Sequence, residues 1–132
     1  MARITGFKDL IAWQKSMDLV ESVYRLSAEF PAVERFGLTS QLRRAAVSIP
    51  ASIAEGYGRT TRVEYVRFLD IARGSANEVE TQLLIAVRLL FAPRAEAQRA
   101  LDLCLEVQRI LVGLVAGLEA SSKSRSRQQS PL

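Results

Sequence analysis

The chain contains no histidine and one cysteine, Cys104, among its 132 residues. Without histidine, neither the mixed Cys/His ligand sets of zinc sites nor the Glu-x-x-His pairs of di-iron helical bundles can be assembled. A single cysteine cannot form an internal disulfide, and there is no histidine to activate its thiol for catalysis. We therefore expect no metal and no cofactor, and we interpret Cys104 as a core residue.

Long apolar segments are also missing. The longest run without a polar side chain, residues 110–118, is far shorter than the roughly 20 residues that span a bilayer. The first residues, MARITGFKDLIAW, lack the continuous apolar segment of a signal peptide. The segment Gly56-Tyr57-Gly58-Arg59 does not match a phosphate-binding loop. These absences predict a cytoplasmic protein that is not an enzyme and has no membrane partner.

Acidic residues are scarce in two segments, which account for the net charge of +4. Residues 37–73 contain six arginines and three carboxylates, and residues 120–132 contain three basic groups and no acidic one. The rest of the chain is close to neutral. Arginine supplies 15 of the 18 basic residues, and its planar guanidinium group suits phosphates as well as carboxylates.

Apolar residues recur at spacings of three and four, which is typical of amphipathic helices and indicates an all-α protein. The first helix is predicted over residues 9–28, with Asp9 as its cap. Thr39 is the predicted N-cap of the second helix, and Thr61 with Glu64 forms a capping box that begins the third, predicted as the longest. Pro93 begins the fourth. The predicted apolar seam of the first helix is Leu10, Trp13, Met17, Val20, Tyr24 and Ser27, and that of the third is Phe68, Ala72, Ser75, Val79, Leu83, Ala86 and Leu90.

The second helix contains Pro50 within its apolar pattern. Proline removes one backbone hydrogen bond and crowds the preceding turn, so it predicts either a kinked helix or two short helices with Pro50 at the first position of the second. Gly56 and Gly58 are expected to end this element. Gly74 in the third helix is interpreted as the place where the two helices come close together, because glycine is otherwise unfavourable inside a helix.

The fourth helix has few polar residues. Its polar side chains form one narrow stripe, Arg99, Asp102, Glu106 and Arg109, and residues 110–118 are apolar on all sides. A helix that is apolar all round must be buried all round, which one small bundle cannot provide. We therefore predict a homo-oligomer, with Gly113 and Gly117 admitting a neighbouring helix. The predicted domain covers residues 1–119, and residues 120–132 are expected to be a disordered basic tail.

The stretch from Leu38 to Arg59 has an unusual order of residues: Gln41, Arg43-Arg44, Ser48-Ile49-Pro50, Ile53-Ala54-Glu55-Gly56 and Arg59. This order resembles the signature of the 23S rRNA intervening-sequence proteins, and the resemblance extends from Phe7 to about residue 90. It implies a four-helix bundle assembled into a ring of five subunits. With the kink expected at Pro50, the predicted fold is an antiparallel up-and-down four-helix bundle with a kinked second helix. The family usually has Asn where this chain has Ser52, so no role is transferred to that position.

The candidate functional residues are polar groups of the second and third helices. Glu55 is predicted to form a structural ion pair with Arg59, one turn away, with Arg43 and Arg44 as alternative partners. The predicted nucleic-acid-binding residues are Arg43, Arg44, Arg59, Arg62 and Arg67. Together with the resemblance to proteins encoded in rRNA-gene insertions, they indicate a non-enzymatic oligomer that binds RNA or DNA, with structured RNA favoured. The alternative is an adaptor for a partner protein, in which the arginines pair with carboxylates and are structural.

Overall fold

The computed structural model describes the backbone of residues 3–128 and the side chains of residues 3–121. Within this range the regular structure is helical, as predicted: α1 (Ile11–Ser27), α2 (Leu38–Tyr57), α3 (Arg62–Arg88), α4 (Arg94–Gln128) and two short 3-10 helices, Phe7–Asp9 and Ala32–Glu34. The helices α1 and α3 each pack against both α2 and α4, and within the described residues no close contact joins α1 to α3 or α2 to α4. The helices therefore form a bundle around one core. Their antiparallel order remains a prediction.

The core is made of aliphatic and small residues from all four helices, as the spacing of apolar residues predicted. In α3, six of the seven predicted core positions are buried, and the exception is Leu90, which lies beyond the end of the helix and is 88% exposed. The small residues of α2 and α3 allow a close approach, and the Ser48 and Ser75 hydroxyls form a hydrogen bond of 2.9 Å across it. The largest fully buried side chains are Leu19, Leu42, Ile49, Ile53, Leu69, Leu83 and Leu111.

The apolar seam of α1 lies one row away from its predicted position. Leu10, Trp13 and Val20 pack partly buried against the core, but Met17 and Tyr24 are 41% and 43% exposed. The predicted seam is therefore the edge of the apolar face of α1. This face is wide enough to contain two rows of apolar residues, and spacing alone does not show which row is at its centre. The buried row consists of Ala12, Ser16, Leu19, Val23, Leu26 and Ser27, so Ser27 is the one residue of the predicted seam that lies in this buried row.

The first two helix starts differ from the predicted caps. Asp9 does not cap α1; its carboxylate accepts hydrogen bonds of 2.9 Å from the amide and hydroxyl of Thr5, which hold the pKa of Asp9 below its usual value. Thr39 is not an N-cap either, because α2 begins earlier and the amide of Leu38 donates to the Glu34 carboxylate at 3.1 Å. In both places the short 3-10 helix before the α-helix determines where the helix begins.

The Thr61 cap of α3 is confirmed. Its hydroxyl oxygen accepts a hydrogen bond of 3.2 Å from the amide of Glu64, which satisfies one of the unpaired amides of the first turn. The Glu64 side chain, which the capping box predicts to reach back towards Thr61, instead forms an ion pair with Arg67 at 3.2 Å.

One continuous helix, α2, runs through Pro50, so the alternative of two short helices is wrong. The kink remains a prediction. The close approach between α2 and α3 is at Gly56, where an added Cβ would lie 2.7 Å from the Cβ of Phe68. Gly56 therefore does not end α2; it lies inside the helix, where its lack of a side chain lets Phe68 of α3 pack against it. The helix ends at Tyr57, with Gly58 as its C-cap. The predicted contact at Gly74 is wrong, because an added Cβ there would have no described neighbour within 4 Å.

The fourth helix is the longest, with 35 residues, and it extends further than the sequence pattern predicts. The predicted tail begins at residue 120, but residues 120–128 continue α4, since adding residues to an existing helix avoids the cost of nucleation. Residues 129–132 lie outside the described residues. Of the apolar stretch 110–118, Leu111 and Val115 are buried, whereas Val112, Gly113 and Gly117 are exposed. A single chain thus covers one side of this stretch.

Candidate nucleic-acid interface

The five arginines predicted to bind nucleic acid lie in two groups. Arg43 and Arg44 are on α2, near its first turns. Arg59, Arg62 and Arg67 are at the turn between α2 and α3 and on the first two turns of α3. The partners of each guanidinium group determine whether it is available to a ligand.

The α2–α3 turn carries a cluster of arginines around Phe68. The guanidinium groups of Arg59 and Arg67 lie 4.7 and 4.8 Å from the centre of the Phe68 ring. Arg59 also bonds the Glu55 carboxylate at 2.9 Å, and Arg67 bonds Glu64 at 3.2 Å. Glu55 and Arg59 are therefore joined by an i,i+4 pair that is exposed to solvent, and pairs of this kind contribute only a few tenths of a kcal/mol. Each arginine of this cluster already has a carboxylate partner.

Two other arginines bridge helices through neutral partners. Arg62 donates to the backbone oxygen of Leu118 at 3.5 Å, which connects the beginning of α3 with α4. Arg43 donates through Nε to the Ser27 hydroxyl at 2.8 Å, and its guanidinium carbon lies 4.5 Å from the centre of the Tyr24 ring. Arg43 is thus fixed between α1 and α2 but retains its full positive charge.

Arg44 differs from the other four predicted arginines. It is exposed, and its guanidinium group has no hydrogen bond or ion pair with any residue in the described part of the chain. It lines a surface cavity of about 580 Å³ at the beginning of α2. We call this the basic cavity; its lining residues are Tyr24, Arg35, Phe36, Thr39, Ser40, Arg43, Arg44, Val47 and Ser48.

The basic cavity combines positive charge, aromatic rings and hydroxyl groups. Three arginines line it, and none of its described lining residues is acidic. The Phe36 ring is 87% exposed, and the guanidinium carbon of Arg35 lies 5.5 Å from its centre. A concave surface with this lining attracts anions that also carry an apolar or aromatic group.

Comparison with known proteins identifies the family. The sequence model described as 23S rRNA-intervening sequence protein matches residues 8–113, which is most of the chain. The chain belongs to this family. The resemblance observed in the sequence is therefore confirmed, and the match extends well beyond residue 90 into α4.

The fold of this intervening-sequence protein is also found in a crystal structure. That protein, from Bacteroides thetaiotaomicron, is of unknown function and is assigned to the S23 ribosomal protein family. It is 24% identical in sequence to this chain, with a TM-score of 0.73, and the match covers 80% of this chain and 98% of the other. At this identity the similarity shows the fold alone. Among curated proteins, no sequence match was found.

Two of the residues that distinguish the basic cavity, Arg35 and Phe36, are not among the site residues predicted from the sequence. They precede α2 and belong to no helical pattern, so the spacing of apolar residues assigns them no role. The sequence contains one signal for them. Phe36 stands between an arginine and a glycine in a short connection, where a large aromatic side chain is expected to be exposed and not buried in the core. Tyr24 was noted, but as a seam residue of α1.

A second cavity of about 330 Å³ lies on the other side of Arg44. Arg44 and Ser48 line both cavities, and Glu78 and Gln82 of α3 line the second one. The Gln82 Oε1 atom is buried there and accepts no hydrogen bond from the described residues. Arg44 therefore separates a basic, aromatic surface from a polar one that includes a carboxylate.

The opposite side of α1 is acidic. A groove of about 440 Å³ between α1 and α4 is lined by four carboxylates and two arginines. The carboxylates are Asp18, Glu21, Glu29 and Glu96. A positive and a negative surface thus lie on two sides of α1. This separation of charge favours one orientation of the protein as it approaches a charged ligand.

The described part of the protein offers little for covalent or metal chemistry. Cys104 is fully buried, its thiol donates to the backbone oxygen of Ala76 at 3.2 Å, and burial together with the charge of Glu80 raises its pKa to about 12. The thiol is therefore protonated at neutral pH, as expected for a core residue. No group of three or more metal-ligating side chains is present among the described residues. No described helix combines the length and hydropathy needed to cross a membrane.

Proposed function

We propose that this intervening-sequence protein binds RNA without catalysing a reaction, and that structured RNA is preferred to DNA. The observation that carries this proposal is the position of Arg44, an exposed guanidinium without a described partner at the edge of a cavity lined by three arginines. Guanidinium groups bind phosphates through two parallel hydrogen bonds. The family description, which refers to 23S rRNA, supports RNA as the nucleic acid.

The proposal includes assembly of antiparallel four-helix bundles into a homo-oligomer, with the five-subunit ring as the expected form. Exposed apolar side chains such as Val112 on α4 support it, because apolar surface that one chain leaves uncovered favours contacts between copies. An assembly repeats the basic cavity around its axis. The modest charge of one subunit would then act at several points on the same RNA molecule.

The second candidate is an adaptor that recruits a partner protein. It is favoured by the partners of Arg43, Arg59, Arg62 and Arg67, which are hydroxyl, carboxylate or backbone oxygens of the same chain. In that case the arginines stabilise the bundle, and the exposed apolar residues contact the partner. The two candidates differ in how binding responds to salt.

The test is fluorescence anisotropy with a labelled RNA hairpin and a DNA duplex, each titrated at several salt concentrations. RNA binding should weaken steeply with salt, because phosphate contacts release counterions. Arg44→Ala should reduce the slope of log K against log salt by about 1, the loss of one phosphate contact. Arg43 is unsuitable for this purpose, since its removal would also break the contacts with Ser27 and Tyr24.

Arg94→Ala is the matched control, because it removes the same charge from an exposed position at the start of α4. Its effect on the salt slope should be smaller than that of Arg44→Ala. If the wild-type protein binds neither nucleic acid at low salt, RNA binding is excluded and the adaptor remains. Equal slopes for the two variants would show that Arg44 is not a phosphate contact.

A further inference from the structure

We propose that the basic cavity holds one unpaired nucleotide of the bound RNA, with its base stacked on Phe36 and its phosphate at Arg44. This inference rests on the proposed function and makes it more specific, since it names an unstacked base as the preferred ligand. It predicts that RNA with single-stranded loops is bound in preference to a continuous duplex.

The exposure of Phe36 is the first support. Its ring is 87% exposed, in the short connection between α1 and α2, and Arg35 lies beside it. Phe36 therefore contributes little to the core, although it is a large apolar residue. Aromatic rings exposed next to arginines are the usual stacking platforms for unpaired bases, because every base has an aromatic face.

The size and lining of the cavity are the second support. Its volume of about 580 Å³ falls within the range of about 300–1,000 Å³ for small-ligand sites, so it has room for a single nucleotide. The bases of a duplex are stacked on one another, so their faces cannot reach a ring in such a cavity. The Ser40 hydroxyl on the same surface can serve as donor or acceptor for a ribose hydroxyl or a base edge.

The distribution of charge is the third support. Arg43 is held in place by Ser27 and Tyr24, so the cavity keeps a fixed positive charge in the absence of ligand. Arg44 has no described partner and can turn towards a phosphate. Together these groups place a fixed cation, an adaptable cation and an aromatic ring around one space, which matches the phosphate and the base of one nucleotide.

The experiment compares two RNAs of equal length by anisotropy, a hairpin with an unpaired loop and a fully paired duplex. The wild-type protein should bind the hairpin more tightly. Phe36→Leu should reduce the ratio of hairpin to duplex affinity about 5- to 150-fold, the range for removal of one base–aromatic stack. Phe36→Trp should retain the ratio, because it preserves an aromatic face. Val33→Ala, at a similarly exposed apolar residue of the same connection, is the control and should also retain it.

Other outcomes overturn the proposal in distinguishable ways. If Phe36→Leu leaves the ratio at the wild-type value while both RNAs still bind, the base site is wrong and RNA binding stands. If Phe36→Leu or Arg44→Ala lowers the sedimenting mass, the cavity is a contact with a second copy, whose acidic groove between α1 and α4 would be the complementary surface. If a labelled acidic peptide containing an aromatic residue binds in a Phe36-dependent manner and neither RNA does, the ligand is a protein and both proposals fail.

Discussion

Two glycines in the α2–α3 pair differ in what surrounds them. An added Cβ at Gly56 would lie 2.7 Å from the Cβ of Phe68 and 3.2 Å from the backbone oxygen of Tyr65, whereas at Gly74 it would meet none of the described residues within 4 Å. We predict that Gly56→Ala lowers the free energy of unfolding by about 1–3 kcal/mol, because α3 must move away. Gly74→Ala should raise it by up to about 1 kcal/mol through helix propensity alone.

Urea unfolding followed by circular dichroism measures both effects. The pair is well matched, since both residues lie inside helices and neither has a positive φ angle, so backbone strain does not contribute. Equal changes in the two variants would show that the contact between Gly56 and Phe68 does not limit how closely α2 and α3 pack.

At the scale of single residues, the sequence identified the arginines but not their environments. The spacing of Glu55 and Arg59 predicted a local pair, and they lie 2.9 Å apart. Arg43 is held by Ser27 and Tyr24 of another helix whereas its neighbour Arg44 is not, and such long-range contacts leave no trace in local spacing. The basic cavity could not be predicted for the same reason, because its lining residues come from α1, α2 and the connection between them.

At the scale of helices, periodicity predicted the elements better than their ends. The core positions of α3 were largely correct because one pattern is repeated on successive turns from Phe68 to Ala86. The starts of α1 and α2 were wrong because short 3-10 helices precede them. A close contact was expected at Gly74, but the glycine that packs against the other helix is Gly56, and beside Gly74 the contact is made by Ser75, which bonds Ser48. Composition shows where two helices can approach each other, and not which of the possible approaches the fold uses.

The end of α3 allows a prediction at this scale. The amide of Phe91 donates to the Ala86 oxygen at 2.9 Å and that of Leu90 to the Val87 oxygen at 3.1 Å, the pattern of a Schellman motif. Glycine usually occupies the left-handed position of this motif, but here it is Leu90, with φ of 59°. A left-handed conformation costs a non-glycine residue about 1–2 kcal/mol.

We therefore predict that Leu90→Gly raises the free energy of unfolding by about 1 kcal/mol, because the side chain it removes is almost fully exposed. Leu89→Gly is the control; Leu89 has a right-handed helical conformation, with φ of −88°, so glycine should lower stability there. Urea unfolding of the two variants gives the difference. A loss of stability in Leu90→Gly would mean that its side chain contributes packing in the assembled protein.

For the whole molecule, the central question is how the apolar surface of α4 is covered. Val112 is 48% exposed, and Leu105 lies two helical turns before it on the same side of α4. Both residues line a shallow surface cavity of about 280 Å³. Gly113 and Gly117, also exposed, leave room for a helix from another copy to approach. Sequence patterns indicated this surplus, but they cannot specify the partner surface, because assembly depends on complementarity between two distant parts of the chain.

We predict that sedimentation equilibrium at micromolar concentration gives a mass several times the 14.6 kDa of one chain. Val112→Glu should lower this mass, because a charged carboxylate is costly to bury between copies, even with Arg109 in the same surface cavity. Val63→Glu, at an exposed position in the first turn of α3, is the control for added charge and should leave the mass unchanged. If the wild-type protein instead sediments as a single 14.6 kDa species, the exposed face of α4 is not an interface between copies, and the proposed RNA site of each chain must act alone.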